Sequence, residues 1–190
     1  MKSFLSKALK LNASISTGRL IIEPLKAFHA SSFFSLMQDE AIYRWISSAP
    51  PQSIDSLAEI WLMRESRLSP QGDEAWLNWV VRRVDDGAYI GKLDAVVDAN
   101  NVATNVGYFF FPMYWGKGYA TEAVKALADH LESSGVLKQI ATVTLGNTPS
   151  YRVLEKAGFV KTRIIPDNDL IRGEKYDDVE YIRTSKKIAL

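Results

Sequence analysis

The stretch Tyr114–Leu131, YWGKGYATEAVKALADHL, limits the fold more than any other part of the chain. From Ala120 the residues Ala120, Ala123, Val124, Leu127, Ala128 and Leu131 fall at i, i+3, i+4, i+7, i+8 and i+11, which predicts an amphipathic helix with one face that must be buried. Before it runs ATNVGYFFF, which reads as a strand that Pro112 closes by removing a hydrogen-bond donor. After it come the alternating β-branched strand KQIATVTL, the helix PSYRVLEKAG, and a turn leading into a last strand, GEKYDDVEYIRTSK. A β–α–β–α–β segment of this kind requires at least one parallel strand pair, so the fold class is α/β (α+β).

The first half adds strands and helices of its own. GRLIIEPL reads as a strand ended by Pro24, and WLNWVVRR and YIGKLDAVV as strands joined through Asp85-Asp86-Gly87. LKAFHASSFFSLMQDEAIYRWI is expected to be mostly helical. PPQSIDSLAEIWLMRESRL places Ser53 or Asp55 at a helix N-terminus, with Leu57, Ile60, Trp61 and Arg64 at helical spacing. Neither repeats nor a low-complexity linker divides the chain, and 190 residues suit one domain. We assign residues 1–16 to an N-terminal arm, a short amphipathic helix by Phe4, Leu5, Ala8, Leu9 and Leu11, and 17–190 to the domain. Lys7 and Lys10 interrupt what a signal peptide would need as its apolar centre.

Composition removes several function classes. Lys+Arg and Asp+Glu nearly cancel at 23 and 22, so no global field draws nucleic acid or an acidic membrane. The chain has no cysteine and two histidines, His29 and His130, so thiolate chemistry is excluded and no metal is expected. A cytoplasmic protein, monomer or homodimer, is the expectation.

Gly116 and Gly118 stand at the mouth of the helix, on either side of Lys117. The first four N–H groups of a helix lack internal partners and carry about half a positive charge through the helix dipole. Glycines leave that end free of Cβ atoms, so an anion can come close to the backbone. The alternative is a tight turn that only feeds the helix. Neither a Walker loop nor a dinucleotide fingerprint fits: no glycine stands five residues before Gly116, and GKGYAT ends in Thr121.

Two motifs decide the matter. VGYFFFPMYWGKGYATEAVKAL resembles the acyl-CoA signature of the GNAT superfamily of N-acetyltransferases, and NTPSYRVLEKAGF resembles its second signature. TGRLIIEPL and YDDVEYI are similar to the branch that contains the ribosomal-protein N-terminal (alanine or serine) acetyltransferases, so the resemblance spans about Thr17 to Ile182. It implies the GNAT fold, a mixed, mostly antiparallel twisted sheet flanked by helices, with a splayed parallel pair holding acetyl-CoA as co-substrate. It implies that the backbone edge through Phe109, Phe110 and Phe111 meets the pantetheine arm. The N–H groups of Gly116, Lys117, Gly118, Tyr119 and Ala120, with the Thr121 hydroxyl, would hold the pyrophosphate. Trp115 stands where the superfamily usually has Gln or Arg, which removes one side-chain phosphate partner. Lys117 offsets this by about 1 kcal/mol at an exposed site.

Acetyl transfer needs a neutral amine about 3–3.5 Å from the thioester carbon, a donor for the oxyanion and a proton for the leaving thiolate. Deprotonating an amine of pKa near 10.4 at pH 7 costs about 4 kcal/mol, and an α-amine near 8 only about 1, so a protein N-terminus needs little help from a base. Asn147, before Thr148-Pro149, suits a helix N-cap. The resemblance also implies a contact from it to pantetheine or to the acceptor backbone. Ser150 shares a helical stripe with Val153, Leu154 and Ala157; by resemblance it protonates the thiolate, a task many superfamily members give to a tyrosine near the position of Leu154. Tyr151 ranks below it. Asp169, in the loop before the last strand, is the candidate base, with Asp167, Glu174 and Asp94 as rivals. Trp45, Trp61, Trp76, Trp79, Phe109, Phe110 and Phe111 are expected to be mostly core; by resemblance Trp45 and Trp61 are also candidates to line the amine pocket. The acceptor is a protein N-terminal α-amine or a small amine such as a polyamine, amino acid or antibiotic; a CoA-binding regulator without chemistry is the other alternative.

Overall fold

The computed structural model describes residues 2–185; Met1 of the expected arm and 186–190 of the expected domain lie outside the described residues. Eight strands form one sheet: β1 (Ile15–Ser16), β2 (Leu20–Pro24), β3 (Ala75–Arg83), β4 (Tyr89–Val97), β5 (Val102–Phe110), β6 (Lys138–Thr144), β7 (Val160–Ile171) and β8 (Glu174–Thr184). Their order is β1-β2-β3-β4-β5-β6-β8-β7, antiparallel throughout except for the parallel pair β5–β6. This is the mixed, mostly antiparallel sheet with one parallel pair.

Helices cover both faces. On one lie α1 (Lys2–Leu11), α4 (Tyr119–Ser133) and α5 (Thr148–Lys156). The expected stripe of α4 is buried: Ala123, Val124, Leu127, Ala128 and Leu131 meet Leu77, Trp79, Val81 and Leu93 of the sheet in the main core. Ala8 and Leu11 of α1 belong to that core, and the Trp79 indole N–H donates to the Ala13 carbonyl at 2.9 Å, so the arm is a packed element. On the other face α2 (Ala30–Phe34) and α3 (Ile54–Arg64) enclose a second core of Phe33, Tyr43, Leu57, Trp61, Val80 and Phe111. Ser53 is the N-cap of α3, accepting from the Ser56 N–H at 3.0 Å.

The segment from Ala27 to Arg44 is mostly helical, as expected, but it is not one helix: it breaks into α2 and short 3₁₀ helices at Ala27–His29, Leu36–Gln38 and Glu40–Arg44. Asp39 starts the last of these by accepting from the Ala41 N–H, the competition with helical hydrogen bonding that Asp and Ser introduce. Trp61 is 3 % exposed and packs edge-on against Phe33, which agrees with the core reading and removes its pocket alternative. The segment before the last strand is itself a strand, β7, whose pairing with β8 slips between Ile165 and Asp169, around Pro166 and Asp167 (φ 53°). Asp169 therefore sits on a strand opposite Tyr176, not in a loop.

Candidate active site

The parallel pair barely exists as a pair. β5 and β6 are in register only at Val102–Lys138 and Ala103–Gln139. Beyond that β5 stays with β4 up to Gly91–Phe110, while β6 follows β8 up to Thr144–Asp178, and the two strands diverge. The splay leaves one backbone edge of the second half of β5 without a strand partner, so its N–H and C=O groups are open to an extended ligand. Tyr108 reaches across the gap and donates its hydroxyl to the Ser150 carbonyl on α5 at 3.2 Å. Burial pushes that phenol up to about 12, so it stays a donor throughout the neutral range. The side chains of Phe110 and Phe111 are buried in the two cores and Phe109 packs beside the second. The Phe111 backbone, expected to meet the pantetheine arm, is instead used within the protein, its N–H donating to the Ile90 carbonyl at 3.0 Å and its carbonyl accepting from the Tyr114 N–H at 2.9 Å, so the open edge ends before it.

At the wide end of the splay the chain turns through Pro112–Tyr114 into α4. Gly116 and Gly118 both have positive φ, 72° and 79°, which glycine adopts without the steric cost borne by other residues. Gly118 is the N-cap of α4, and among the described residues no side chain caps that end. Nothing lies within 4 Å of where a Gly116 Cβ would be. Beside Gly118 only the Arg19 Nη2 comes near, 3.5 Å from where a Cβ would stand, so the amides of this turn are exposed to solvent or to a ligand. Cations surround it: the Arg19 guanidinium lies 4.6 Å from the Tyr119 ring centroid and that of Arg83 5.8 Å, while the Lys117 ammonium sits 5.7 Å from the Tyr114 ring. Arg83 is also paired with Asp85 and Asp86. The Trp115 indole N–H turns back to the Phe110 carbonyl at 2.6 Å, so this residue finishes the β5 edge.

The turn from β6 to α5 lies across the splay. Asn147 is the N-cap of α5, its Oδ1 3.4 Å from the Ser150 N–H, and Ser150 is half-buried in the first turn. Tyr151 contributes more than its position suggested: its hydroxyl accepts from the Gly146 N–H at 2.7 Å and bonds the Thr144 carbonyl at 3.3 Å, fixing the turn. Gly158, φ 89°, ends α5 and returns Phe159 to the core.

Trp45 packs over Gly146, 3.6 Å from where a Cβ would stand, and its carbonyl accepts from the Thr144 hydroxyl at 3.4 Å. It thereby joins the end of β6 to a cleft of about 650 Å³ lined by Glu40, Arg44, Trp45, Arg172, Glu174 and Tyr176. A hollow of about 600 Å³ at the opposite sheet edge has its charges already matched, Glu23 with Arg82 and Lys26 with Glu65.

The carboxylates divide by environment. Asp169 is half-buried and accepts from the Leu170 N–H at 2.8 Å; Asp167 is exposed and pairs with Lys175. Glu174 lines the cleft and accepts from the Tyr176 hydroxyl. Asp94 is bound by Lys92 at 2.9 Å and Asn105 at 3.2 Å, and its carboxylate lies where a Gly107 side chain would be. Asp178 was missed from the sequence. It is 4 % exposed, faces Thr144 across the ladder, takes one hydrogen bond from Asn168 at 2.8 Å, and its Oδ1 has no partner among the described residues. Burial, with the nearby charges of Asp169 and Asp177, raises its pKa against the opposing pull of the Asn168 hydrogen bond. Arg19 and Glu122 were missed as well, because residues 103 positions apart reveal their pairing only once folded.

Residues 19–160 match the family described as acetyltransferase (GNAT) domain. The chain is 26 % identical over 166 residues to an uncharacterized N-acetyltransferase, p20, of Bacillus licheniformis, covering 86 % of this chain and 92 % of that protein. The fold is shared with RimL, a ribosomal L7/L12 α-N-protein acetyltransferase solved with coenzyme A (TM-score 0.78, 16 % identity, 90 % of this chain and 98 % of that one). It is shared also with the microcin C7 self-immunity acetyltransferase MccE, solved with acetyl-CoA and AMP (TM-score 0.76, 18 % identity, 93 % and 99 %).

Proposed function

This chain belongs to the acetyltransferase (GNAT) domain family and is an N-acetyltransferase, and from that premise we propose that it moves the acetyl group of acetyl-CoA to the α-amine of a protein N-terminus, of the ribosomal-protein type. The observation that carries the reading is the splayed β5–β6 pair opening onto an uncapped helix N-terminus with two positive-φ glycines. Its fit to a thioester nucleotide is direct: an open strand edge suits the amide-bearing pantetheine arm, and a cradle of N–H groups suits the diphosphate.

In this reading the amides of Gly116, Lys117, Gly118, Tyr119 and Ala120, with the Thr121 hydroxyl, hold the diphosphate, and the open edge of β5 before Phe111, with Asn147, aligns the arm. Bound acetyl-CoA supplies an activated acyl carbon with a thiolate leaving group. Ser150, held in the first turn of α5, gives the departing sulfur its hydrogen bond or proton. Asp169 takes the proton lost by the amine. The Trp45 cleft admits the acceptor, whose α-amine, already part neutral near pH 7, asks little of Asp169. The solved relative that acts on ribosomal L7/L12 supports this acceptor class.

The test is thiol release from acetyl-CoA with a panel of N-terminal peptides, their N-acetylated forms, polyamines and free amino acids. Free peptides should outpace all others and acetylated ones should be inert. Faster release with polyamines or amino acids would assign the cleft to small amines instead. In Gly118→Glu, a side chain at φ 79° brings a carboxylate into the cradle, and thermal stabilisation by CoA should vanish. Stabilisation equal to wild type would remove the cradle from the reading.

A further inference from the structure

A carboxylate in the first turns of an anion-binding helix is a contradiction that the structure has to resolve. Glu122 stands four residues after the N-cap Gly118, its side chain 22 % exposed. Acids near a helix N-terminus ordinarily serve the helix itself. Glu122 instead turns its oxygens outward to the segment before β2: the Thr17 hydroxyl donates to Oε1 at 2.6 Å, the Arg19 backbone N–H to Oε1 at 3.1 Å, and the Arg19 Nε–H to Oε2 at 2.6 Å, with Nη2 equally close. Burial draws Glu122 upward, yet these bonds outweigh it and hold the carboxyl below its ordinary range, so it is charged.

The same guanidinium reaches two further points of the cradle. Arg19 Nη1 donates to the Lys117 carbonyl at 3.1 Å, and the group lies over the Tyr119 ring. In a trans peptide the C=O of one residue and the N–H of the next point in opposite directions. Drawing the Lys117 carbonyl toward Arg19 therefore aims the Gly118 N–H away from it. An exposed ion pair adds only about 0–1 kcal/mol to stability, so its geometry and charge matter more here than its strength.

We propose that Arg19 is a positioning residue of the diphosphate cradle: it neutralises Glu122, which otherwise repels the anion, and it sets the Lys117–Gly118 peptide that faces the anion. The proposal rests on the reading that α4 takes the diphosphate of CoA, and it adds to that reading the segment Thr17–Arg19, which is remote in sequence.

The experiment measures CoA affinity by titration calorimetry for wild type, Arg19→Ala, Arg19→Lys, Glu122→Gln and the double variant Arg19→Ala/Glu122→Gln. Thermal unfolding of each unliganded protein checks that it folds. Arg19→Ala should weaken CoA about tenfold, the size of one uncompensated charge near a diphosphate. Arg19→Lys, which keeps the charge but loses the planar fork, should fall between. Glu122→Gln placed in the Arg19→Ala background should recover most of the loss, a rescue that a role in fold stability alone would not produce. Binding by Arg19→Ala within twofold of wild type would overturn the proposal, as would a double variant no better than Arg19→Ala. A wild-type protein that fails to bind CoA would instead overturn the site assignment beneath it.

Discussion

Replacing Asp178 by Asn should make the protein more stable at neutral pH, by an amount that depends on pH. Asp178 is 4 % exposed, with one oxygen bonded to Asn168 and the other unpartnered among the described residues. An unsatisfied buried acceptor costs about 1–3 kcal/mol, more if charged. Burial and the neighbouring carboxylates raise its native pKa above the unfolded value near 3.9. A carboxyl shifted in that direction favours the native state fully below the unfolded pKa, and the advantage is lost as pH rises through the native pKa. Asn keeps the shape, accepts from Asn168 through its own carbonyl and never ionises. The variant should therefore gain about 1–3 kcal/mol at pH 7–8 over wild type and nothing near pH 4, where wild-type Asp178 is becoming protonated in both states. For a domain of this size that is a rise in Tm of about 2–10 °C at neutral pH. Thermal unfolding of both proteins from pH 4 to pH 8 measures it. A difference independent of pH, or an Asn variant less stable at pH 8 than wild type, would refute the reasoning.

Two substitutions bear on the chemistry. Ser150→Ala should lower turnover about 10²-fold while CoA affinity stays within about twofold, read by steady-state thiol release and calorimetry, and wild-type turnover would remove Ser150 from the mechanism. Asp169→Asn should flatten the acid limb of the pH–rate profile of kcat/KM measured with an N-terminal peptide, and an unaltered profile would leave water as the proton acceptor.

The α4 stripe, the glycines at its mouth and the Asn147 cap were legible because each is local. Periodicity, turn chemistry and capping act within a few residues, and here the tertiary structure agrees with them. Legibility failed where contacts are long-range. Pro166 and Asp167 give residues 166–169 the composition of a loop, yet the chain on both sides pairs with β8, which absorbs the irregularity as a slipped register. Trp61 kept a pocket alternative beside its core reading because nothing local says that Phe33 of α2 will cover it. Asp178 sits in a run of acids that reads as a solvated edge; only the pairing of β8 between β6 and β7 buries it. Arg19 lies in an ordinary strand opening until Glu122 folds against it.

The two halves of the proposed site are therefore specified by different physics. The cradle is backbone, set by two glycine torsions and by the burial of α4, and few side chains enter it, so a short pattern suffices to encode it. The cleft is made of side chains from two separate stretches, Glu40–Trp45 and Ile171–Tyr176, brought together by the packing of a 3₁₀ turn against the β7–β8 hairpin. Residues such as Arg44, Arg172 and Glu174 can change without disturbing Gly116, Gly118 or the core of α4, because no backbone element of the cradle depends on them. A chain built this way keeps its acyl donor while its acceptor drifts, which is why chemistry is readable in this sequence and the acceptor has to be measured.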